Sequence, residues 1–205
     1  MNTTRKCPVG VLISGRGSNL QALLDASFAE SFPAQIVVVI SNVPDAYGLV
    51  RASTAGIAAG VISHRGKTRE DFDAEIDDAL RAAGVEIVCL AGFMRILSDG
   101  FVRAWEGKLI NIHPSLLPAY KGADVHARVL AAGEKQSGAS VHFVVPELDA
   151  GPVIVQGSVP VQANDTPESL AARVLQAEHR LYPTALRLLC EGKVRLENGA
   201  AVFTT

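Results

Sequence analysis

The sequence predicts an α/β fold: a Rossmann-like, doubly wound, mostly parallel sheet with antiparallel C-terminal strands, a long C-terminal helix and a terminal hairpin. Three observations predict it. Short β-rich apolar runs alternate with stretches of helical periodicity up to residue 112. Those runs are continuously apolar rather than alternating, which means burial on both faces under covering helices. Beyond His113 the rhythm changes, and the connector 146–152 is too short for a βαβ crossover, so the strands around it are antiparallel neighbours.

The elements follow in order. Residues 9–14 are read as the first strand and 19–29 as the first helix, with Gly15-Arg16-Gly17-Ser18 between them. Strand 35–41 leads to a helix over 46–59, and strand 60–63 to a helix over 68–83. Strands 85–90 and 108–112 complete the parallel part. A Pro/Gly-rich loop over 114–124 and a short helix near 125–132 precede strands 139–145 and 153–162. The last long helix takes Asp165 or Thr166 as its N-cap and Pro167 in its first turn, where a missing N–H costs nothing. Leu170, Val174, Leu175 and Leu181 form its apolar stripe, and Pro183 predicts a kink. Asn198-Gly199 between two short apolar runs reads as a hairpin turn.

Length and composition bound the function. At 205 residues one domain, 1–205, is expected. A hydrophobic fraction of 48%, a charged fraction of 20% and a net charge of −2 exclude a disordered chain and argue against nucleic acid as a partner. No apolar stretch approaches the roughly 20 residues of a membrane span, so no membrane partner is expected. Cys7, Cys89 and Cys190 are odd in number and widely spaced, which disfavours a disulfide framework or a zinc site; the cytoplasm is the expected location and no metal is expected.

The chemistry concentrates in a few segments. Asn111 and His113 end the fifth strand two residues apart, so they point to the same side, and Pro114 blocks helix immediately afterwards. Ligands of open α/β sheets gather at such strand ends. The ordinary alternatives are a turn-forming Asn and a hydrogen-bonded, partly buried His. Gly17, Ser18 and Asn19 open the first helix, where free N–H groups would take a phosphate; a plain tight turn fits them too. Leu20 stands where a dinucleotide fingerprint needs glycine, and Ser41-Asn42 where it needs an acid, so NAD is disfavoured.

Asp149 lies in the connector 146–152. Alone it reads as a turn residue; set against His113 it would fix the ring's tautomer. The apolar stretch 90–97 after the fourth strand is either ordinary core or a wall for a flat heteroaromatic ligand. Gln176, Glu178 and His179 interrupt the apolar stripe of the last helix, as a solvated face or as a second substrate contact.

Five ordered motifs, VLISGRGSNLQALLD, VCLAGFMRILS, LINIHPSLLPAYKG, SVHFVVPELDAGPVIVQ and QAEHRLYP, give the chain a resemblance to the phosphoribosylglycinamide formyltransferases over nearly its whole length. The resemblance implies a formyltransferase fold and, as catalytic residues, Asn111, His113 and Asp149. It implies that Gly17, Ser18 and Asn19 take the substrate phosphate, that Gln176 and Glu178 take the ribose and glycinamide, and that 1–113 is the phosphate- and ribonucleotide-binding half and 114–205 the folate-binding and catalytic half. Arg69, Met94, Arg95, Ile96, Leu97, Asn111, Val145, Glu147, Leu148 and Asp149 would line the folate pocket. Two positions depart from the pattern. Arg16 stands where the family often has an uncharged residue, and either strengthens phosphate attraction or faces solvent; Asp124 stands where the family commonly has His, so no role of that His is carried over.

The implied reaction is attack of the glycinamide ribonucleotide amine on the formyl carbon of 10-formyltetrahydrofolate, a co-substrate, with no metal and no nucleic acid. Monomer and homodimer both remain open. The alternatives are a 10-formyltetrahydrofolate hydrolase, which normally adds an N-terminal regulatory domain before a strand like the one at residue 9, and methionyl-tRNA formyltransferase, which adds an RNA-binding domain after a position like 193. Neither addition is expected here. A non-catalytic nucleotide- or folate-binding module is the alternative from another class.

Overall fold

The computed structural model describes residues 5–204. Seven strands form one sheet in the order β3-β2-β1-β4-β5-β6-β7. They are β1 (Cys7–Ile13), β2 (Ala34–Ser41), β3 (Ala58–Val61), β4 (Ile87–Leu90), β5 (Leu109–His113), β6 (Gln136–Phe143) and β7 (Val153–Pro160). The first five are mutually parallel, whereas β5–β6 and β6–β7 are antiparallel, as the short connector requires. Helices α1 (Ser18–Ser27), α2 (Tyr47–Thr54), α3 (Arg69–Ala82), α4 (Asp99–Ala104), α5 (Val125–Ala131) and α6 (Pro167–Cys190) cover the sheet. A separate hairpin, β8 (Val194–Glu197) and β9 (Ala200–Phe203), closes the chain around Asn198-Gly199, both of which have positive φ.

Burial on both faces explains the continuous apolar strands. Val9, Val11 and Ile13 of β1 point into the core under α1, α5 and α6. Leu12 between them enters a second core with Phe72, Ile76 and Leu80 of α3 and Phe101 of α4. The strand order reverses between β1 and β4, so the crevice beyond their carboxyl ends is the natural ligand position in a sheet of this kind.

Three expectations need correction. The helix expected over 46–59 stops at Thr54, because Gly56 turns into the left-handed region at φ 71° and ends it. The strand expected over 60–63 is Ala58–Val61, an exposed edge strand whose identity comes from pairing with β2 rather than from apolar content. Helix α4 was absent from the sequence reading; at six residues, capped by Ser98, it is too short to show a period. Helix α6 runs through Pro183 as one 24-residue helix, started by a Thr166–Ser169 capping box.

Candidate active site

The carboxyl ends of β4 and β5 and the segments that follow β4, β5 and β6 enclose a cleft of about 680 Å³. Met94, Arg95, Ile96, Leu97, Asn111, His113, Val145, Leu148 and Asp149 all line it, together with His126 and His142. Met94 is 76% exposed, Ile96 58% and Leu148 53%, so these side chains are not core. Leu97, 7% exposed, is the member that packs inward. The wall is held by its backbone: Ser14 Oγ, at the end of β1, accepts from the Met94 N–H at 2.7 Å and donates to Asn42 Oδ1 at 2.5 Å.

The polar floor is built from β5, β6 and the 146–152 connector. His113 is buried, with Nε2 2.9 Å from the Tyr120 carbonyl and Nδ1 3.3 Å from Asp149 Oδ2. Donation from Nε2 to Tyr120 leaves Nδ1 turned to the carboxylate, so a proton taken up at Nδ1 is donated to Asp149 Oδ2. Asp149 sits at φ 49° and accepts the Gly122 N–H at 2.9 Å, which aims its carboxylate inward. The contact between Asp149 and His113, invisible in the sequence, is therefore present.

His142 is a member of this floor that the sequence reading missed. It lies across the antiparallel ladder from Asn111, whose Nδ2 is 3.3 Å from His142 Nε2, and that ring nitrogen is 3.7 Å from Asp149 Oδ1. Its Nδ1 donates to the Phe143 carbonyl at 2.8 Å, leaving Nε2 as an acceptor for the Asn111 amide. Burial lowers its pKa from the ordinary histidine value, against the smaller pull of the Phe143 carbonyl and the Asp149 charge, so it is a neutral support. Only the pairing of β5 with β6 could have revealed it, since on its own it is a His in an apolar strand.

The glycine-rich turn stands beside this floor. Gly17 is the N-cap of α1 in the left-handed conformation, and a Cβ there would lie 2.6 Å from the Gly48 Cα, so only glycine lets the turn pack on α2. Asn19 Nδ2 donates to Glu178 Oε2 at 2.6 Å, joining α1 to α6. Tyr182, one turn after Glu178, anchors α6 by donating to the Leu90 carbonyl at 2.8 Å. Burial raises the Glu178 pKa, opposed by the Asn19 amide and by the charge of His113. Asn19 Oδ1 is buried without a partner among the described residues.

Gly17, Ser18, Asn19 and Glu178 are not among the residues lining the cleft, and three further expected site residues lie elsewhere. Gln176 is two residues from Glu178 and hence on another face of α6, where it lines a separate hollow with Ser158, Arg173 and Arg180. Arg69 is the exposed first residue of α3 and lies outside the cleft lining. Glu147 points outward to Lys121 Nζ at 3.1 Å. The division at residue 113 does not partition the ligand sites either: segments 90–97 and 142–149 share one cleft, and Glu178 reaches back to Asn19. Among the described residues no cluster of His, Cys, Asp or Glu is arranged to hold a metal ion, and no helix is long and apolar enough to cross a membrane.

The sequence profile of the formyl transferase family matches residues 8–186. The chain belongs to the formyl transferase family. Within it, the chain is 45% identical to phosphoribosylglycinamide formyltransferase of Escherichia coli strain K12, over 93% of this chain and 91% of the relative. The fold matches the crystal structure of glycinamide ribonucleotide transformylase 1 from Symbiobacterium toebii with a TM-score of 0.94 at 43% identity, covering 98% of this chain and 95% of that one. It is also 52% identical to the trifunctional purine biosynthetic protein adenosine-3 of Bos taurus over 98% of its length, but spans only 20% of that longer protein. The formyl transferase match takes in every strand of the seven-stranded sheet except the first residue of β1, and the whole candidate site.

Proposed function

We propose that this protein transfers the formyl group of 10-formyltetrahydrofolate to the amine of glycinamide ribonucleotide, a step of purine synthesis, with the cytoplasm as its compartment; the free thiols Cys7, Cys89 and Cys190 suit a reducing environment. The observation that carries the reading is the 3.3 Å contact of His113 with Asp149, two residues along the strand from Asn111.

The folate co-substrate supplies a formyl group on nitrogen, and the residues present fit it. An exposed apolar wall of Met94, Ile96 and Leu148 suits a flat pterin ring, and it ends at the Asn111 amide. The ribonucleotide phosphate is assigned to the N–H groups of Gly17, Ser18 and Asn19 at the start of α1. Glu178, fixed by Asn19, then faces the sugar and the amine end from the side of His113.

In this arrangement Asn111 Nδ2 donates to the formyl oxygen as negative charge develops there, turning from His142 without leaving that ring buried and charged. Asp149 receives the amine proton, directly or through a water, while His113 stabilises the oxyanion or relays that proton to the folate N10 as the bond from the formyl carbon to N10 breaks and tetrahydrofolate leaves. The Tyr120 carbonyl and Gly122 N–H hold the two partners in register meanwhile. Mass-spectrometric identification of the product tests the proposal: formylated glycinamide ribonucleotide formed in step with tetrahydrofolate is expected. Formate and tetrahydrofolate without a formylated acceptor would mean that water is the acceptor.

A further inference from the structure

Beneath the cleft lies a set of polar groups, two of them buried serines, that are not part of its lining. Ser140 is fully buried and stands directly across the ladder from His113. Its hydroxyl donates to the Ser115 carbonyl at 2.6 Å and accepts from the Leu117 N–H at 3.1 Å and from Gln156 Nε2 at 2.8 Å. One donated and two accepted bonds fill the capacity of a hydroxyl. Gln156, on β7, spends its second amide hydrogen on the Leu117 carbonyl at 3.0 Å, so the Leu117 residue is gripped at both its N–H and its C=O.

Ser115, 1% exposed, passes the restraint onward by donating to the Ala119 carbonyl at 2.6 Å. The next carbonyl, that of Tyr120, is the one that takes His113 Nε2. Two residues later the Gly122 N–H donates to Asp149 Oδ2. A single loop thus supplies one partner to each member of the His113–Asp149 pair. Elsewhere the loop is tied by the Ala119 N–H donating to the Leu116 carbonyl at 3.1 Å, the Tyr120 hydroxyl to Glu134 Oε1 at 2.7 Å and Arg128 Nη1 to the Lys121 carbonyl at 2.7 Å, the last two on its exposed side. Pro114 and Pro118 contribute no N–H, and Tyr120 is held at φ 56°, a conformation that a non-glycine residue keeps only under constraint from its surroundings.

We infer that Ser140, Gln156 and Ser115 are positioning residues that pin the 114–122 loop so that Tyr120 fixes the His113 ring and Gly122 fixes the Asp149 carboxylate. The inference rests on the assignment of His113 and Asp149 as the reacting pair. None of the three lines the cleft, so their loss leaves substrate binding intact and acts through the orientation of another side chain. With the Ser115 or Ser140 bond removed, the Tyr120 carbonyl withdraws, and the His113 ring is free to turn and exchange tautomers.

The test uses Ser115→Ala, Ser140→Ala and Gln156→Met, the last at the most accessible of the three positions, so that one variant folds even where a buried change is not tolerated. A kcat lower by about tenfold is expected, the order of one lost hydrogen bond, with KM for both substrates within about twofold. The pH profile of kcat shifts, and 15N spectra of the ligand-free protein show the His113 ring in mixed tautomers where the parent shows one. Unchanged kcat overturns the inference. So does a lower kcat with an unaltered pH profile and an unaltered His113 signature, which marks a purely structural role. The ring signature is read without substrate, so it decides the positioning role even if the parent protein forms no formylated ribonucleotide.

Discussion

Replacing Asp149 by Asn isolates the charge of the carboxylate from its shape. The amide oxygen can keep the Gly122 N–H, which now lies 2.9 Å from Asp149 Oδ2, and the new NH2 falls on the side of His142 Nε2, an acceptor 3.7 Å away. The fold therefore loses little, while the charge facing His113 is gone. The nearest atoms of the two groups are 3.3 Å apart and both side chains are only 7% exposed, so solvent screens the pair weakly. Unit charges spread over two such groups sit about 4 Å apart, and at an effective dielectric near 20 they interact by about 4 kcal/mol. At about 1.4 kcal/mol per tenfold in rate, Asp149→Asn lowers kcat on the order of a thousandfold. The assay is single-turnover formyl transfer with both substrates saturating, with a thermal melt to confirm the fold. A kcat within about tenfold of the parent would refute the role of Asp149 as proton acceptor and partner of His113.

The remaining predictions concern neighbouring residues. Asn111→Ala removes the oxyanion donor and lowers kcat about a hundredfold or more with little change in KM, measured by steady-state kinetics. Glu178→Gln removes a carboxylate whose pKa burial has raised, so its charged form is penalised in the folded state at neutral pH; the variant melts higher while its KM for the ribonucleotide rises. Gly17→Ala forces a Cβ against the Gly48 backbone at a φ of 69°; a cost of about 2 kcal/mol is expected, a fall in Tm of about 4–8 °C, with weakened ribonucleotide binding by calorimetry. Burial lowers the pKa of His142, His126 and His179, so between their folded values and the ordinary 6.5 the unfolded chain binds more protons than the native one. Their contribution is complete above about pH 6.5 and drains away as the pH falls below it, which melting curves between pH 5 and 7 will show, and which His142→Asn reduces.

What the sequence made legible follows from periodicity and chemistry. Strand β1 was readable because Val11 and Ile13 face one core and Leu12 the other, leaving no polar alternation. The α6 cap and the Asn198-Gly199 turn were readable because their residue types have local causes. Edge strand β3, with Ala58, Ala59 and Gly60, carries almost no local signal and exists through its pairing with β2. In the site, Asn111 and His113 could be found on one strand by spacing alone. Asp149 could be suspected but not placed, since its reach to His113 depends on a positive φ and on Gly122 from another loop. Grouping Gln176 with Glu178 overlooked the helical period, which turns them to different faces. Whether Met94 and Ile96 were core or wall was a question of exposure, which composition does not carry.

The dependence of 10-formyltetrahydrofolate consumption on the acceptor tests the central claim most directly. With purified protein and the folate absorbance followed continuously, turnover is expected only when glycinamide ribonucleotide is added, rising to saturation with its concentration. Turnover at full rate in its absence, or tight binding of both ligands with no turnover at all, would contradict the account.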